Sequence, residues 1–281
     1  MIKFQYFQPK TDNRKFIGSY YDTKMSAEII DVMRAEITNI RFILNGKVYS
    51  DINGSEECFR RGEAILCGPT FSWSNVKFSA DAHVFGAAIT PMGWSRMFKI
   101  EAYKLADRVL PLEEIFPNIT PHLLKEIHLA TNDKSRVCAA DNLFASLIHD
   151  VPKGYDGFLD EMSSWLTDPK RRGMNDLLAN LNFSHRQIER LCKAYFGSAP
   201  KRLHRKFRAL HAANRLAWHD LTDWKDIATM DYYDQSHFIR EFKQFNGRTP
   251  SEFIKGAHIL VRLTLQERLQ ITHESPFSLV G

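Results

Sequence analysis

The stretch Asp226–Phe253, DIATMDYYDQSHFIREFKQFNGRTPSEF, decides the reading of the chain. Phe238, Phe242 and Phe245 recur at i, i+4 and i+7, which gives one apolar helical face. Asp234 stands at the N-cap, where its carboxylate can accept orphan backbone N–H groups. Gly247 follows as the C-cap, and Thr249-Pro250 supply N-cap and N1 of the next helix. The outer face carries Gln235, Ser236, His237 and Arg240. The stretch therefore reads as a helix-turn-helix whose second helix offers donors and acceptors, of the kind that enters the DNA major groove.

A second copy lies 50 residues upstream. Arg190 matches Arg240, Lys193 matches Lys243, Gly197 matches Gly247, Pro200 matches Pro250, and Ser184 falls on Asp234. NDLLANLNFSHRQIERLCKAYFGSAPKRL is thus the first unit. In its recognition helix, Ser184–Phe196, Ile188, Leu191 and Tyr195 point inward and His185, Arg186, Glu189 and Arg190 outward. Between the units, Pro200–Asp220 is expected as one long helix with Phe207, Leu210, Ala213 and Leu216 on its buried face. Such a helix sets the spacing of the two units, ideally about 34 Å or one DNA turn.

The motif A228…DQSHF-R-FK…G-TP-F resembles the second DNA-binding unit of AraC/XylS-type transcriptional regulators, and the first copy resembles their S-x-R-x-L-x-R-x-F…G-x-x-P pattern. Two departures concern the turns. Where the family usually has Gly, this chain has Asn182 in the first unit and Asp231 or Tyr232 in the second, and the second turn is one residue short. Asn and Asp tolerate positive φ better than other residues with a side chain. The expected base-reading set is Ser184, His185, Arg186, Glu189, Arg190, Gln235, Ser236, His237 and Arg240. Glu189 could equally pair with Lys193, and His237 could pack against the linker helix. Lys201, Arg202, Arg205, Lys243 and Arg248 are the phosphate-contact candidates, joined in the same basic run by Lys206 and Arg208.

Charge agrees with this division. Residues 170–255 hold 17 Lys and Arg against 9 Asp and Glu, a net of +8. The whole chain carries +5, which leaves −3 elsewhere, so only the C-terminal half is suited to a polyanion. At 281 residues the chain is long enough for two cores. No apolar run approaches the ~20 residues of a membrane span and MIKFQYFQPK lacks a signal-peptide core, so a cytoplasmic protein with no membrane partner is expected.

Residues 1 to about 90 read as short strands with turns at Asn45-Gly46, Arg61-Gly62-Glu63 and Gly68-Pro69. Asn45-Gly46 is the strongest hairpin signal. Thr90-Pro91 starts a helix through Trp94 and Phe98, and two more are expected at Pro121–Ala130 and Arg136–His149. ITPMGWSRMFKIEAYKLADRVLPLEEIF resembles the end of the cupin-like N-terminal domain in one subgroup of the same regulators. The expected fold is α+β: a cupin-like β-barrel or sandwich with flanking helices over 1–155, and an all-α double helix-turn-helix domain over 156–257 with its units joined by the long helix. Val151-Pro152-Lys153-Gly154 forms the linker, and a tail follows over 258–281. Ile259, Leu260, Leu263 and Leu265 mark a helix in the tail, expected to pack on the DNA-binding domain.

Catalytic and metal signatures are missing: no Gly-x-Ser-x-Gly, P-loop or HExxH occurs, and His83 stands without an HxH partner. No cofactor and no metal are expected. Cys58, Cys67, Cys138 and Cys192 are scattered and read as buried free thiols. Phe71, Trp73, Phe78 and Trp94 could line a ligand pocket, with core packing the commoner use of such residues. The resemblance implies a non-enzymatic, sequence-specific regulator that binds double-stranded operator DNA, with activation as the default sign. It leaves open RNA polymerase, a small-molecule effector, and a homodimer through the N-terminal half. Two rivals stand beside it: a DNA-binding domain fused to an alkylation-repair methyltransferase, which needs an activated, often zinc-held Cys, and a protein-interaction adaptor that has lost DNA binding.

Overall fold

Alternation with a period of two runs through Phe42-Ile43, Ile65-Leu66 and Val84-Phe85, and each of these pairs is buried on both sides. Phe42, Leu66 and Phe85 face one core, while Ile43, Ile65 and Val84 face another. A central sheet with two covered faces follows directly. The computed structural model describes residues 2–52, 54–119, 121–149, 154–168, 177, 181–218, 232, 234–256 and 259–268.

Among the described residues, ten strands form two antiparallel sheets: β1 (Ile2–Phe7), β2 (Ile17–Met25), β3 (Ile29–Met33), β4 (Asn39–Asn45), β5 (Lys47–Ile52), β6 (Ser55–Arg60), β7 (Ala64–Cys67), β8 (Ser74–Phe78), β9 (His83–Ile89) and β10 (Val109–Pro111). The larger sheet runs β1-β2-β9-β4-β7-β10 and the smaller β3-β8-β5-β6. Ile43, Ile65 and Val84 from the first meet Val48, Phe59, Val76 and Phe78 from the second, forming the interior of a cupin-like barrel.

Asn45-Gly46 does not make the expected hairpin. β4 pairs with β7 and β9, whereas β5 pairs with β6 and β8, so the turn is a corner that passes the chain between sheets. Gly46 has φ +68°, and a Cβ there would lie 2.5 Å from Ser79 Oγ and 2.7 Å from the Ala82 Cα. Gly46 adopts the positive φ of a turn, while the strand after it pairs in the other sheet.

Helices cover the outer face of the larger sheet: α1 (Pro91–Met97), the single turn α2 (Leu112–Ile115), α3 (Pro121–Leu129) and α4 (Asp133–Leu147). Thr90 caps α1 by accepting from Gly93 N at 3.0 Å, with Pro91 at N1 as the sequence indicated. Phe98 is the C-cap of α1 and stacks on Trp94 at 4.1 Å. Inside, the Tyr20 hydroxyl donates to Asp141 Oδ1 of α4 at 3.0 Å, locking helix to sheet.

The C-terminal half contains α5 (Asp156–Thr167), α6 (His185–Phe196), α7 (Pro200–Trp218), α8 (Gln235–Asn246), α9 (Pro250–Lys255) and α10 (Ile259–Arg268). Its apolar face joins Phe158, Met162, Trp165, Leu191, Phe196, Leu203 and Phe207 in one cluster, and Ala213, Leu216, Phe238 and Phe242 in another. Residues 150–153 of the linker, the turn of the second unit around Ala228 and Asp231, and the tail beyond 268 lie outside the described residues. No helix among the described residues is long and apolar enough to cross a membrane.

A non-glycine residue at 46 meets both an unfavourable φ and a backbone clash, so Gly46→Val is expected to cost about 2–4 kcal/mol in urea unfolding of the full chain. A loss below about 0.5 kcal/mol would show that the corner is not the constraint described.

Candidate nucleic-acid interface

The two recognition helices are built alike. Ser184 caps α6 in a capping box with Gln187, the side-chain carbonyl of Gln187 accepting from Ser184 N at 2.9 Å. Asp234 caps α8 by accepting from His237 N at 2.8 Å. Both helices end in a left-handed glycine, Gly197 at φ +86° and Gly247 at φ +77°. Helix α7 joins the units with 19 residues, about 28 Å of helix at 1.5 Å per residue.

The inward residues are as expected for the first unit: Ile188 and Leu191 are buried and Tyr195 half-buried. His185, Arg186, Arg190, Gln235, Ser236 and Arg240 are exposed, while Glu189 and His237 are half-buried. Ser184 is exposed but its hydroxyl is engaged with Gln187 at 2.8 Å. His237 Nε2 lies 3.7 Å from Glu241 Oε2, turned toward the protein. Glu189 and Lys193 form no ion pair among the described residues.

The basic residues divide into two groups. Arg186, Arg190, Lys193, Lys201, Arg240 and Lys243 are exposed and, among the described residues, enter no ion pair. The others already have work. Arg205 and Arg208 grip Glu241 at 2.7 and 2.6 Å, and Arg208 also lies 4.0 Å over the Tyr232 ring. Arg202 sits 4.6 Å over Phe71 and 4.0 Å from Asp107. Arg248 donates to Asp31 Oδ1 at 2.8 Å.

Lys206 corrects the sequence reading outright. Expected in the phosphate-contacting run, it is 1% exposed and donates to the Glu36 carbonyl at 2.5 Å, with its ammonium 4.9 Å over the Phe71 ring. Burial pulls its pKa down to about 7, against the raising influence of Asp107 and Glu36. Glu241 is the matching case in the second unit, 1% exposed and surrounded by Arg205, Arg208 and His237. Helical spacing could have found both: Lys206 is three residues after buried Leu203 and four before Leu210, and Glu241 three after Phe238 and four before Phe245.

Both units dock on the barrel, and the segment from Asp31 to Glu36 receives them. Ala35 N donates to Phe245 O at 2.8 Å, Arg34 Nη1 donates to Asn214 Oδ1 at 2.8 Å, and Glu36 O accepts from Lys206. The glycine caps make this approach close. A Cβ on Gly197 would lie 2.5 Å from Pro69 Cγ, and one on Gly247 would lie 2.3 Å from Val32 Cγ1. The tail helix also differs from expectation. α10 seats Leu260 in the barrel interior and contacts α7 by the bond from Trp218 Nε1 to Leu265 O at 2.8 Å. Among the cysteines, Cys67 and Cys192 are buried, Cys58 half-buried, and Cys138 exposed rather than buried. No group of three or more His, Cys, Asp or Glu among the described residues is placed to hold a metal.

Two stability outcomes follow from the buried charges. Glu241→Ala strands two guanidinium groups, and because Arg205 keeps partial solvent access the expected loss is about 2–3 kcal/mol by urea unfolding. A change within about 0.5 kcal/mol would remove Glu241 as the organiser of the second unit. Between about pH 7 and pH 10 the unfolded chain holds the Lys206 proton that the folded chain has released, so this group makes stability rise with pH. Lys206→Met is expected to flatten that rise in unfolding measured across the window; an unaltered slope would contradict the burial of its charge.

Residues 177–256 match a family model described as "Helix-turn-helix domain". No curated protein matches the chain in sequence. Among solved structures the chain is similar to ToxT from Vibrio cholerae in its P21 form, at 12% identity and TM-score 0.50, over 90% of this chain and 97% of that one. It is also similar to unsaturated fatty acid bound wild-type ToxT from Vibrio cholerae strain SCE256, at 11% identity and TM-score 0.47, over 90% and 94%. Part of the chain is similar to the Cupin_2 domain of an XRE family transcriptional regulator from Enterobacter cloacae, at 8% identity and TM-score 0.23, over 31% of this chain and 93% of that one. The first of these likenesses, at TM-score 0.50, concerns fold. A helix-turn-helix match over residues 177–256 spans both capped recognition helices, so this part of the chain is a helix-turn-helix domain, set behind a two-sheet barrel.

Proposed function

We propose that α6 and α8 read base edges in two successive major-groove segments of an operator, and that the barrel receives a small effector that governs this reading. The observation that carries the first part is the repeat of one capped helix 50 residues apart, each copy presenting unpaired cations outward: Arg186 and Arg190 on α6, Arg240 and Lys243 on α8. Arginine can pair bidentately with guanine, and Gln235 can pair with adenine. In this reading Lys201, Lys193 and Lys243 neutralise phosphates, a sequence-independent contribution. Arg202, Arg205 and Arg248 remain candidates for phosphate contact only if they leave Phe71, Glu241 and Asp31.

Support for an effector comes from a cavity of about 70 Å³ between the two sheets, walled by residues of both sheets and of α10. Its lining is mostly apolar, with Arg34, Arg41, Glu36 and Arg268 as the charged groups. Apolar walls with a few convergent polar groups are the usual character of a small-molecule site.

We place the protein in the cytoplasm, acting without chemistry of its own. A repair methyltransferase needs a thiolate, and burial pushes the thiols of Cys67 and Cys192 up, away from that state. Contact with RNA polymerase and pairing of two copies through the N-terminal half are carried by the family resemblance alone.

Arg186→Ala and Arg240→Ala should each lose about 1–3 kcal/mol of discrimination, at different base pairs, while Lys201→Ala weakens all sequences alike and lowers the salt slope by about one. Binding titrations against single-base operator variants read this out. Equal weakening of every sequence by the arginine variants would make them backbone contacts.

A further inference from the structure

The barrel meets the first recognition helix at one short turn. Residues Ala102–Lys104 form a 3₁₀ turn that packs against α6. Burial, then the neighbouring Tyr155, raises the Tyr195 hydroxyl of α6, and the other charges acting on it are Arg190 of α6 with Arg96 and Glu101 of the barrel. Arg190 and Glu101 are thus neighbours of one side chain. Ala194 lies one helical turn beyond Arg190 on the same stripe and is buried, so the exposed stripe ends there. The barrel turn therefore borders the flank of α6 that presents Arg190.

What the turn shows to solvent is basic and aromatic. Tyr103 is 46% exposed, and Lys104 Nζ stands 5.9 Å from the centre of its ring. Among the described residues Lys104 pairs with Glu101 alone, at 3.5 Å, both side chains about half in solvent, so the pair is weak and screened. Arg108 is exposed and, among the described residues, in no ion pair. At this end the Asp107 carboxylate accepts from Phe71 N at 2.6 Å and lies 4.0 Å from Arg202 of α7, the neighbour of exposed Lys201. The segment thus runs from the Arg190 flank of α6 to the basic start of α7. Lysine, arginine and tyrosine together suit the sugar-phosphate chain.

Net charge hides this surface. The chain outside residues 170–255 is acidic overall, yet both acidic residues of the segment are engaged, Glu101 with Lys104 and Asp107 with Phe71 N and Arg202. The backbone is also fixed. Gly68 N donates to Arg108 O at 2.9 Å, Asp107 N to Pro69 O at 3.1 Å and Leu105 N to Ala102 O at 3.1 Å. A Cβ on Gly68 would lie 1.8 Å from Leu105 O. Asp107, at φ +56°, is the one non-glycine residue with positive φ among the described residues. Such strain persists where the surrounding bonds over-determine it, typically at functional sites. Cations on a held backbone meet an anion with little further ordering.

Resting on the DNA reading above, we propose that the barrel itself touches the operator: the segment Tyr103–Arg108 lays Lys104 and Arg108 on the phosphate backbone beside the first recognition helix, as a third DNA-contacting element. The contact is made by the docked barrel and carries no sequence choice of its own.

The test is equilibrium binding of full-length protein to an operator duplex selected with the wild type, followed against KCl concentration. Lys104→Gln and Arg108→Gln should each weaken binding about three- to tenfold near 0.1 M salt and lower the salt slope by about one. Discrimination among single-base operator variants should stay as in the wild type, and Lys104→Arg should keep the wild-type slope. Lys47→Gln, exposed on β5 in the other sheet, should change nothing. Phosphate-ethylation interference should lose its signal beside the first unit in both glutamine variants. If these variants keep the wild-type slope while Lys201→Ala loses about one, the inference fails and the two reading helices stand. Tighter binding by the glutamine variants would also overturn it, since the turn would then obstruct DNA. If Lys201→Ala and Arg186→Ala are silent as well, the DNA reading fails with it.

Discussion

The structure depends on how the end of β3 is satisfied. β3 is an edge strand of the smaller sheet, and the backbone after it would otherwise present open hydrogen-bonding groups. The DNA-binding half supplies the missing partners. Phe245 O accepts from Ala35 N, Lys206 Nζ reaches Glu36 O beside the bond from Thr70 N, and Arg248 and Leu260 N share the Asp31 carboxylate. Barrel, linker helix, second recognition helix and tail thus meet on about six residues. Because these groups are buried and mutually paired, separating the halves exposes several polar groups together, which favours discrete docked and undocked states over gradual loosening.

The buried charges fit this arrangement. Lys206 and Glu241 occupy equivalent helical settings among core residues, yet they do different things. Glu241 gathers two arginines within the DNA-binding half, whereas Lys206 reaches across to the barrel backbone. Cations used in this way already have partners within the protein, and those left exposed lie on α6, on α8 and at the start of α7. Sequence charge alone overstates the DNA-facing set for that reason.

Much of the fold was legible because its signals are local. The caps Ser184, Asp234, Gly197 and Gly247, the N1 prolines and the phenylalanine spacing of α8 each act within one helical turn, and the structure places them as read. What stayed hidden depends on which surface meets which. Asn45-Gly46 announces a positive φ but not whether the next strand returns to the same sheet. The leucines of the tail announce an apolar helical face but not that Leu260 enters the barrel. Arg34, Asp31 and Glu36 lie in a stretch without any motif, and their part in docking the two halves comes from residues some 170 to 230 positions away.

Two reading helices on one chain, spaced by a single rigid helix, is the central claim. Hydroxyl-radical footprinting of the full-length protein on a selected operator tests it most directly. The account requires two protected clusters about 10 base pairs apart on one face of the duplex. A single cluster, or protection spread evenly along the DNA, would contradict it.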